Sequence, residues 1–122
     1  MAWSFTSDRP VYIQVAERIR QSVIAGDFLP GQQIPSVRHL ALVAAVNPNT
    51  IQRAFSELEN EGLIESRGTT GRFVTEDLSV IERSRNQQAK DLVGSFVKKA
   101  ELLAIDQITL INMIKEEYNE RS

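Results

Sequence analysis

Two helix-start signals stand close together in this chain, Pro35-Ser36 and Asn47-Pro48, and they leave room between them for one short helix and a tight turn. Ser36 sits where an N-cap would, its hydroxyl accepting from backbone N–H groups one turn on. The helix it starts runs from Val37 to about Val43, with Val37, Leu40 and Ala41 inward. Asn47 repeats the cap and Pro48 suits the first helical position, where its missing N–H would be unpaired anyway. This next helix reaches about Asn60, its buried face being Ile51, Ala54, Phe55 and Leu58, and Gly62 follows its end. A short helix joined by a tight turn to a second capped helix is the helix-turn-helix layout.

The flanking segments complete the pattern. Tyr12, Val15, Ala16, Ile19 and Val23 share one face of a helix over residues 10–25, with Pro10 in its first turn and Gly26 as its stop. The Pro- and Gly-containing stretch from Asp27 to Pro35 reads as a loop. Leu63–Ser66 and Arg72–Thr75 read as short strands around a turn-rich tip, Arg67-Gly68-Thr69-Thr70-Gly71, and this hairpin is placed to be a wing. From Asp77 onward strand signals stop. Ala89, Val93, Phe96, Val97, Ala100, Leu103 and Ala104 form one apolar helical face after a polar run, Arg83 to Gln88, and Asp106 is placed to cap a last helix bearing Leu110, Ile111, Ile114 and Tyr118. Neither stripe can be covered by the other alone; they require the N-terminal part or a second copy of the chain. The expected fold is mainly α with a small β-hairpin: a winged helix-turn-helix domain over residues 1–76, then a two-helix C-terminal dimerisation segment over 77–122.

Composition narrows the function classes. With no cysteine and a single histidine among 122 residues, disulfides and histidine- or cysteine-ligated metal sites are not expected. No apolar run approaches the ~20 residues of a membrane span and no signal segment opens the chain, so a soluble, cytoplasmic protein without a membrane partner is expected. An enzyme, such as a fragment of a larger aminotransferase-bearing protein, is disfavoured: there is no cofactor-binding glycine motif and no acid–base group around His39, and the tail is too short for a catalytic domain. No catalytic residue, metal or cofactor is expected. The net charge of −2 argues weakly against a nucleic-acid partner, but the acids avoid two segments. None lies between Asp27 and Glu57, where Arg38, His39 and Arg53 fall, or from Ser66 to Thr75, which holds Arg67 and Arg72.

Those segments carry side chains suited to DNA. On a recognition helix starting at Pro48, the exposed Asn49, Thr50, Gln52 and Arg53 would meet base edges in the major groove. Asn and Gln can bond adenine bidentately, and Arg can bond guanine. Ser36 and Arg38 are placed for phosphate oxygens, with His39 beside them. The hairpin tip offers Arg67, Thr69, Thr70 and Arg72, with Gly68 and Gly71 letting backbone approach a groove. Each has a plainer role: Ser36 and Asn47 are caps in any protein, Arg53 can pair with Glu57, and tight hairpins need glycines. What favours DNA is that all the candidates occupy the expected places at once. A winged helix used for protein contact would instead expose apolar or acidic residues on this helix.

The run from Asp27 through Pro30-Gly31-Gln32-Gln33-Ile34-Pro35-Ser36-Val37-Arg38 to Ala41 resembles the opening motif of GntR-family transcriptional regulators. Val46-Asn47-Pro48-Asn49-Thr50-Ile51-Gln52-Arg53-Ala54-Phe55, followed by Leu58 to Ile64, resembles their recognition helix and first wing strand. The resemblance covers about residues 9 to 75, and the Asn-Pro-Asn-Thr phrase with the short helical tail is similar to the YtrA subfamily. It implies a dimeric repressor of a double-stranded DNA operator, of a kind often linked to transporter operons. Arg38 would take the family's phosphate contact, and Asn49, Thr50 and Gln52 would meet the DNA, with Arg53 a weaker transfer. Three departures stand out: Ala45 where a glycine is common in the turn, His39 in place of an acid, and Gly68-Thr69-Thr70-Gly71 in place of a Gly-x-Gly wing. A homodimer would form through the tail, at Phe96, Ala100, Leu103, Ile111 and Ile114. Any small-molecule effector would bind at that junction, where Phe96 and Tyr118 are the aromatics able to stack on it.

Overall fold

The computed structural model describes residues 3–122. In chain order its elements are α1 (Val11–Ala25), α2 (Val37–Ala44), α3 (Pro48–Asn60), β1 (Ile64–Ser66), β2 (Arg72–Val74), α4 (Leu78–Leu102) and α5 (Gln107–Arg121). The chain divides into two compact units, one ending at Arg85 and the other Asn86–Ser122. The sequence alone places the boundary at residue 76, before α4. Ile81 is buried in the core of the first unit, and Arg85 donates from Nη2 to the carbonyl of Ile24 at 2.9 Å. The opening turns of α4 are thereby tied to the last turn of α1, whose carbonyls have no partner inside their own helix.

The core of the first unit is built from the apolar faces of its helices. Val15, Ala16, Ile19 and Val23 of α1 meet Ile51, Ala54, Phe55 and Leu58 of α3, with Leu40 and Ala41 of α2 and the wing residues Ile64 and Val74 closing the sides. Phe55, Ile51 and Leu58 are at most 1% exposed, so each contributes about 1.5–3 kcal/mol by burial. Pro10 stands as the N-cap of α1, one residue before the helical turn expected for it, with extended backbone at φ −55° and ψ 141°. Ser36 and Asn47 cap as expected: Ser36 Oγ accepts from the His39 N–H and Asn47 Oδ1 from the Asn49 N–H. Ala45 ends α2 in the left-handed conformation at φ 58° and ψ 48°. The turn between α2 and α3 thus holds an alanine where the backbone favours glycine.

The wing is wider than a hairpin. β1 and β2 are antiparallel with Ile64 opposite Val74, Glu65 opposite Phe73 and Ser66 opposite Arg72. The segment read as a loop lies along the other edge of β2. Ile34 N–H donates to the Arg72 carbonyl, Val74 N–H donates to the Gln32 carbonyl, and Gln33 bridges to Phe73. Gln33 also donates from Nε2 to the Thr70 carbonyl at 2.7 Å, fastening the tip. Gly71 is required here, because its φ is 121° and a Cβ would lie 2.8 Å from Gln33 Nε2.

Arg20 donates from Nε and Nη2 to the two carboxylate oxygens of Glu61 at 2.8 and 2.6 Å, joining α1 to the end of α3. That bidentate pair raises the pKa of Arg20 despite its partial burial.

The polar run Arg83–Gln88 does not interrupt α4, which is continuous across it. Ala104 turns the chain at φ 57°, and Asp106 caps α5 by accepting from the Thr109 N–H at 3.3 Å. The apolar faces of the two helices enclose one side of a groove of about 390 Å³, lined by residues that include Phe96, Ala100, Leu103, Leu110, Ile114 and Tyr118. Ala100 is buried, but Leu103 and Tyr118 are each 73% exposed and no residue of α5 is buried. Among the described residues, no helix is long and apolar enough to cross a membrane.

Candidate nucleic-acid interface

The capped start of α3 fixes which of its side chains face outward. With Ile51, Ala54, Phe55 and Leu58 committed to the core, Asn49, Gln52 and Arg53 are exposed and Thr50 is half-buried. Asn47 is consumed as the cap, so the polar edge of α3 begins at Asn49. The first turn of α2 lies before it in the chain and exposes Ser36, Arg38 and His39. The Ser36 oxygen accepts the capping bond but its hydrogen remains available to donate. Among the described residues Arg38 forms no ion pair, which leaves its charge uncompensated.

The other candidate cations are engaged. The Arg53 guanidinium lies over the Tyr12 ring of α1, 3.9 Å from its centroid, and does not pair with Glu57. Arg67 pairs with Glu65 at 2.9 Å and approaches Glu76 at 3.6 Å, and it stacks 4.3 Å from the centre of the Phe73 ring. Arg72 is half-buried, opening β2 beside the tip, and its side chain turns back to α3. It bonds Glu59 Oε1 at 2.6 Å and Gln52 Oε1 at 3.1 Å. Gly68, Thr69 and Thr70 form the exposed tip, and Gly71 is partly covered by Gln33. The stretch from Ser66 to Thr75, free of carboxylates in the sequence, is therefore not free of them in space, since Glu59, Glu65 and Glu76 reach in from outside.

Three participants had no strong signal in the sequence. Tyr12 was legible only as a face residue of α1, Gln33 as part of a loop, and Glu59 as part of the stretch from Leu58 to Ile64. Each acquires its role from a partner on another element.

The order of α2, turn, α3 and three-edged wing can be set beside known proteins. Residues 11–74 match the family model for bacterial regulatory proteins of the gntR family. The chain belongs to the GntR family. It is a transcriptional regulator with a GntR DNA-binding domain, and its relatives are of the YtrA-like kind. The HTH-type transcriptional regulator YhcF of Bacillus subtilis is 34% identical over 111 residues, covering 91% of this chain and 92% of that one. The HTH-type transcriptional repressor YtrA of Bacillus subtilis is 30% identical over 111 residues, covering 90% of this chain and 85% of that one. Among solved structures, a GntR-family regulator from Listeria monocytogenes matches with a TM-score of 0.86 and 36% identity over 92% of this chain and 98% of that one. The DNA-binding domain of AraR, solved in complex with operator ORX1, matches with a TM-score of 0.55 and 32% identity over 62% of this chain and 93% of that one. The GntR-matched segment contains every side chain of the candidate interface, from Ser36 to Arg72.

Proposed function

We propose that this GntR-family regulator is a repressor that works as a homodimer on a two-fold symmetric DNA operator. Each copy sets the start of α3 into the major groove, with Asn49, Thr50, Gln52 and Arg53 toward base edges. Ser36, Arg38 and His39 fix its orientation on phosphates, and the tip Arg67–Gly71 follows the backbone or an adjacent groove. The observation that carries this is the exposed polar edge of α3 beside an arginine, Arg38, with no ionic partner among the described residues. AraR supports it, being a relative in fold whose DNA-binding domain is solved on an operator. The repressor role follows the name of YtrA, and control of a transporter operon follows the family resemblance alone.

In this reading residues 1–76 bind DNA and residues 77–122 join the two copies. The groove bearing Phe96, Ala100, Leu103 and Ile114 presents apolar surface that a second copy would cover, and Ile111 beside it is 42% exposed. Phe96 and Tyr118 both line that groove, so a small apolar effector would act by competing for or reshaping the junction.

Sedimentation at micromolar concentration tests the assembly: a dimer is expected, with Leu103→Glu shifting it to monomer. Transcription from a template carrying the preferred site should fall when the protein is added. A strictly monomeric wild-type chain would remove the dimer, and a rise in transcript would remove the repressor.

A further inference from the structure

Among the described residues, Gln52 is the candidate base reader whose side chain is already hydrogen-bonded within the protein. Arg72 donates from Nη2 to Gln52 Oε1 at 3.1 Å. A guanidinium has donors only, so the atom it meets must be the amide oxygen, and the two ends of the Gln52 amide are told apart by that contact. Arg72 is itself held from two further directions. Its Nε donates to Glu59 Oε1 at 2.6 Å, and its guanidinium carbon lies 4.9 Å from the centre of the Phe55 ring. Gln52, Phe55 and Glu59 follow one another at spacings of three and four on α3, so they form a single stripe. Arg72 reaches that stripe from β2.

An unencumbered glutamine offers a donor and an acceptor side by side, which is the pattern that matches adenine. Gln52 offers something different. Its oxygen accepts from a cation, which makes it a poorer second acceptor, and the same polarisation makes its –NH₂ a better donor. Guanine presents two acceptors, N7 and O6, to that donor. Adenine presents N7 beside an N6 amino group that would have to face the occupied oxygen.

We propose that Arg72 sets the base preference of Gln52 without touching DNA, making it a donor-dominated reader that selects guanine over adenine at one position of each half-site. Arg72 is thus a positioning residue, and the inference rests on α3 being the element that reads DNA.

The test is selection from a random duplex pool with the full chain and its variants. The wild type is expected to enrich guanine at one position per half-site, a preference lost in Gln52→Ala. Arg72→Met keeps an alkyl chain across Phe55 but cannot donate. It should move the preference at that position from guanine to adenine while the bases preferred elsewhere stay the same. A purely structural Arg72 would instead weaken all positions alike. Placing 7-deazaguanine, which lacks the N7 acceptor, at that position should weaken the wild-type protein at least about fivefold. This arm tests the donor contact to guanine even if Arg72→Met does not fold. Adenine preferred by the wild type at the Gln52 position, an unchanged guanine preference in Arg72→Met, or full affinity for the 7-deazaguanine duplex would each overturn the proposal while leaving DNA reading by α3 intact. A wild-type selection that enriches no sequence would overturn that reading, and this inference with it.

Discussion

The guanidinium of Arg53 on α3 rests on the ring of Tyr12 on α1, 3.9 Å from the ring centroid. A flexible cation at the edge of the reading helix is thereby held in one orientation before any DNA arrives, which lowers the entropy lost when it makes a contact. A cation–π contact at an exposed site is worth about 0.5–1 kcal/mol. Tyr12→Leu should therefore weaken binding to the preferred duplex by roughly two- to fivefold, whereas Tyr12→Phe, which keeps the ring, should bind like the wild type. Equal losses in both variants would show that the hydroxyl, not the ring face, matters.

The unequal engagement of the arginines makes a prediction about salt. Arg38 has no ionic partner among the described residues, while Arg67 is paired with Glu65. Each phosphate neutralised contributes about −0.9 to the slope of log affinity against log salt. Arg38→Ala should reduce the magnitude of the slope by about one, and Arg67→Ala by less than half as much. Equal slope changes, read from titrations at several salt concentrations, would mean that Arg67 leaves its carboxylates on binding DNA.

The turn between α2 and α3 holds a removable strain. Ala45 sits at φ 58°, a region that disfavours a Cβ by roughly 1–2 kcal/mol. Ala45→Gly relieves that strain and loses part of the gain to the greater freedom of the unfolded chain. A net stabilisation of about 0.5–1 kcal/mol is expected, visible as a higher denaturant midpoint at unchanged slope. A lower midpoint would contradict the left-handed assignment.

Acid should weaken the start of α5. Asp106 accepts from the Thr109 side of the turn, and this hydrogen bonding holds its carboxyl below the ordinary 3.8. A carboxylate with a lowered folded-state pKa contributes stability that is present above about pH 3.8 and lost as pH falls through the folded value. Asp8 and Asp77 are lowered in the same sense, so the useful quantity is a difference. Circular dichroism between pH 5 and pH 2 should show wild-type helicity falling further than that of Asp106→Asn, whose amide caps without titrating. Superimposable acid titrations would show that the cap contributes nothing there.

What could be seen in the sequence was local. Ser36 and Asn47 cap helices with bonds that span only two or three residues, so a short window contains both partners. The buried faces of α1 and α3 follow from helical periodicity alone. The tertiary pairings were not visible. Arg72 meets Gln52 and Glu59 across 20 and 13 residues, and Gln33 meets Thr70 across 37, distances over which no periodicity speaks. This is why neither the turn of Arg72 back to α3 nor the place of Gln33 beside β2 could be read there. The tie between the first turns of α4 and the end of α1 was hidden for the same reason, since Arg85 finds its acceptor on Ile24, 61 residues earlier.

The most direct test of the central claim is selection and sequencing of random-sequence duplex DNA bound by the full chain at about 0.15 M salt, where non-specific phosphate attraction is already weakened. The expected result is a two-fold symmetric site whose half-sites lie about one helical turn or more apart, with Gln52→Ala relaxing one position and Arg38→Ala weakening every sequence alike. Binding that enriches no sequence and disappears on modest addition of salt would contradict a sequence-specific regulator reading DNA through α3.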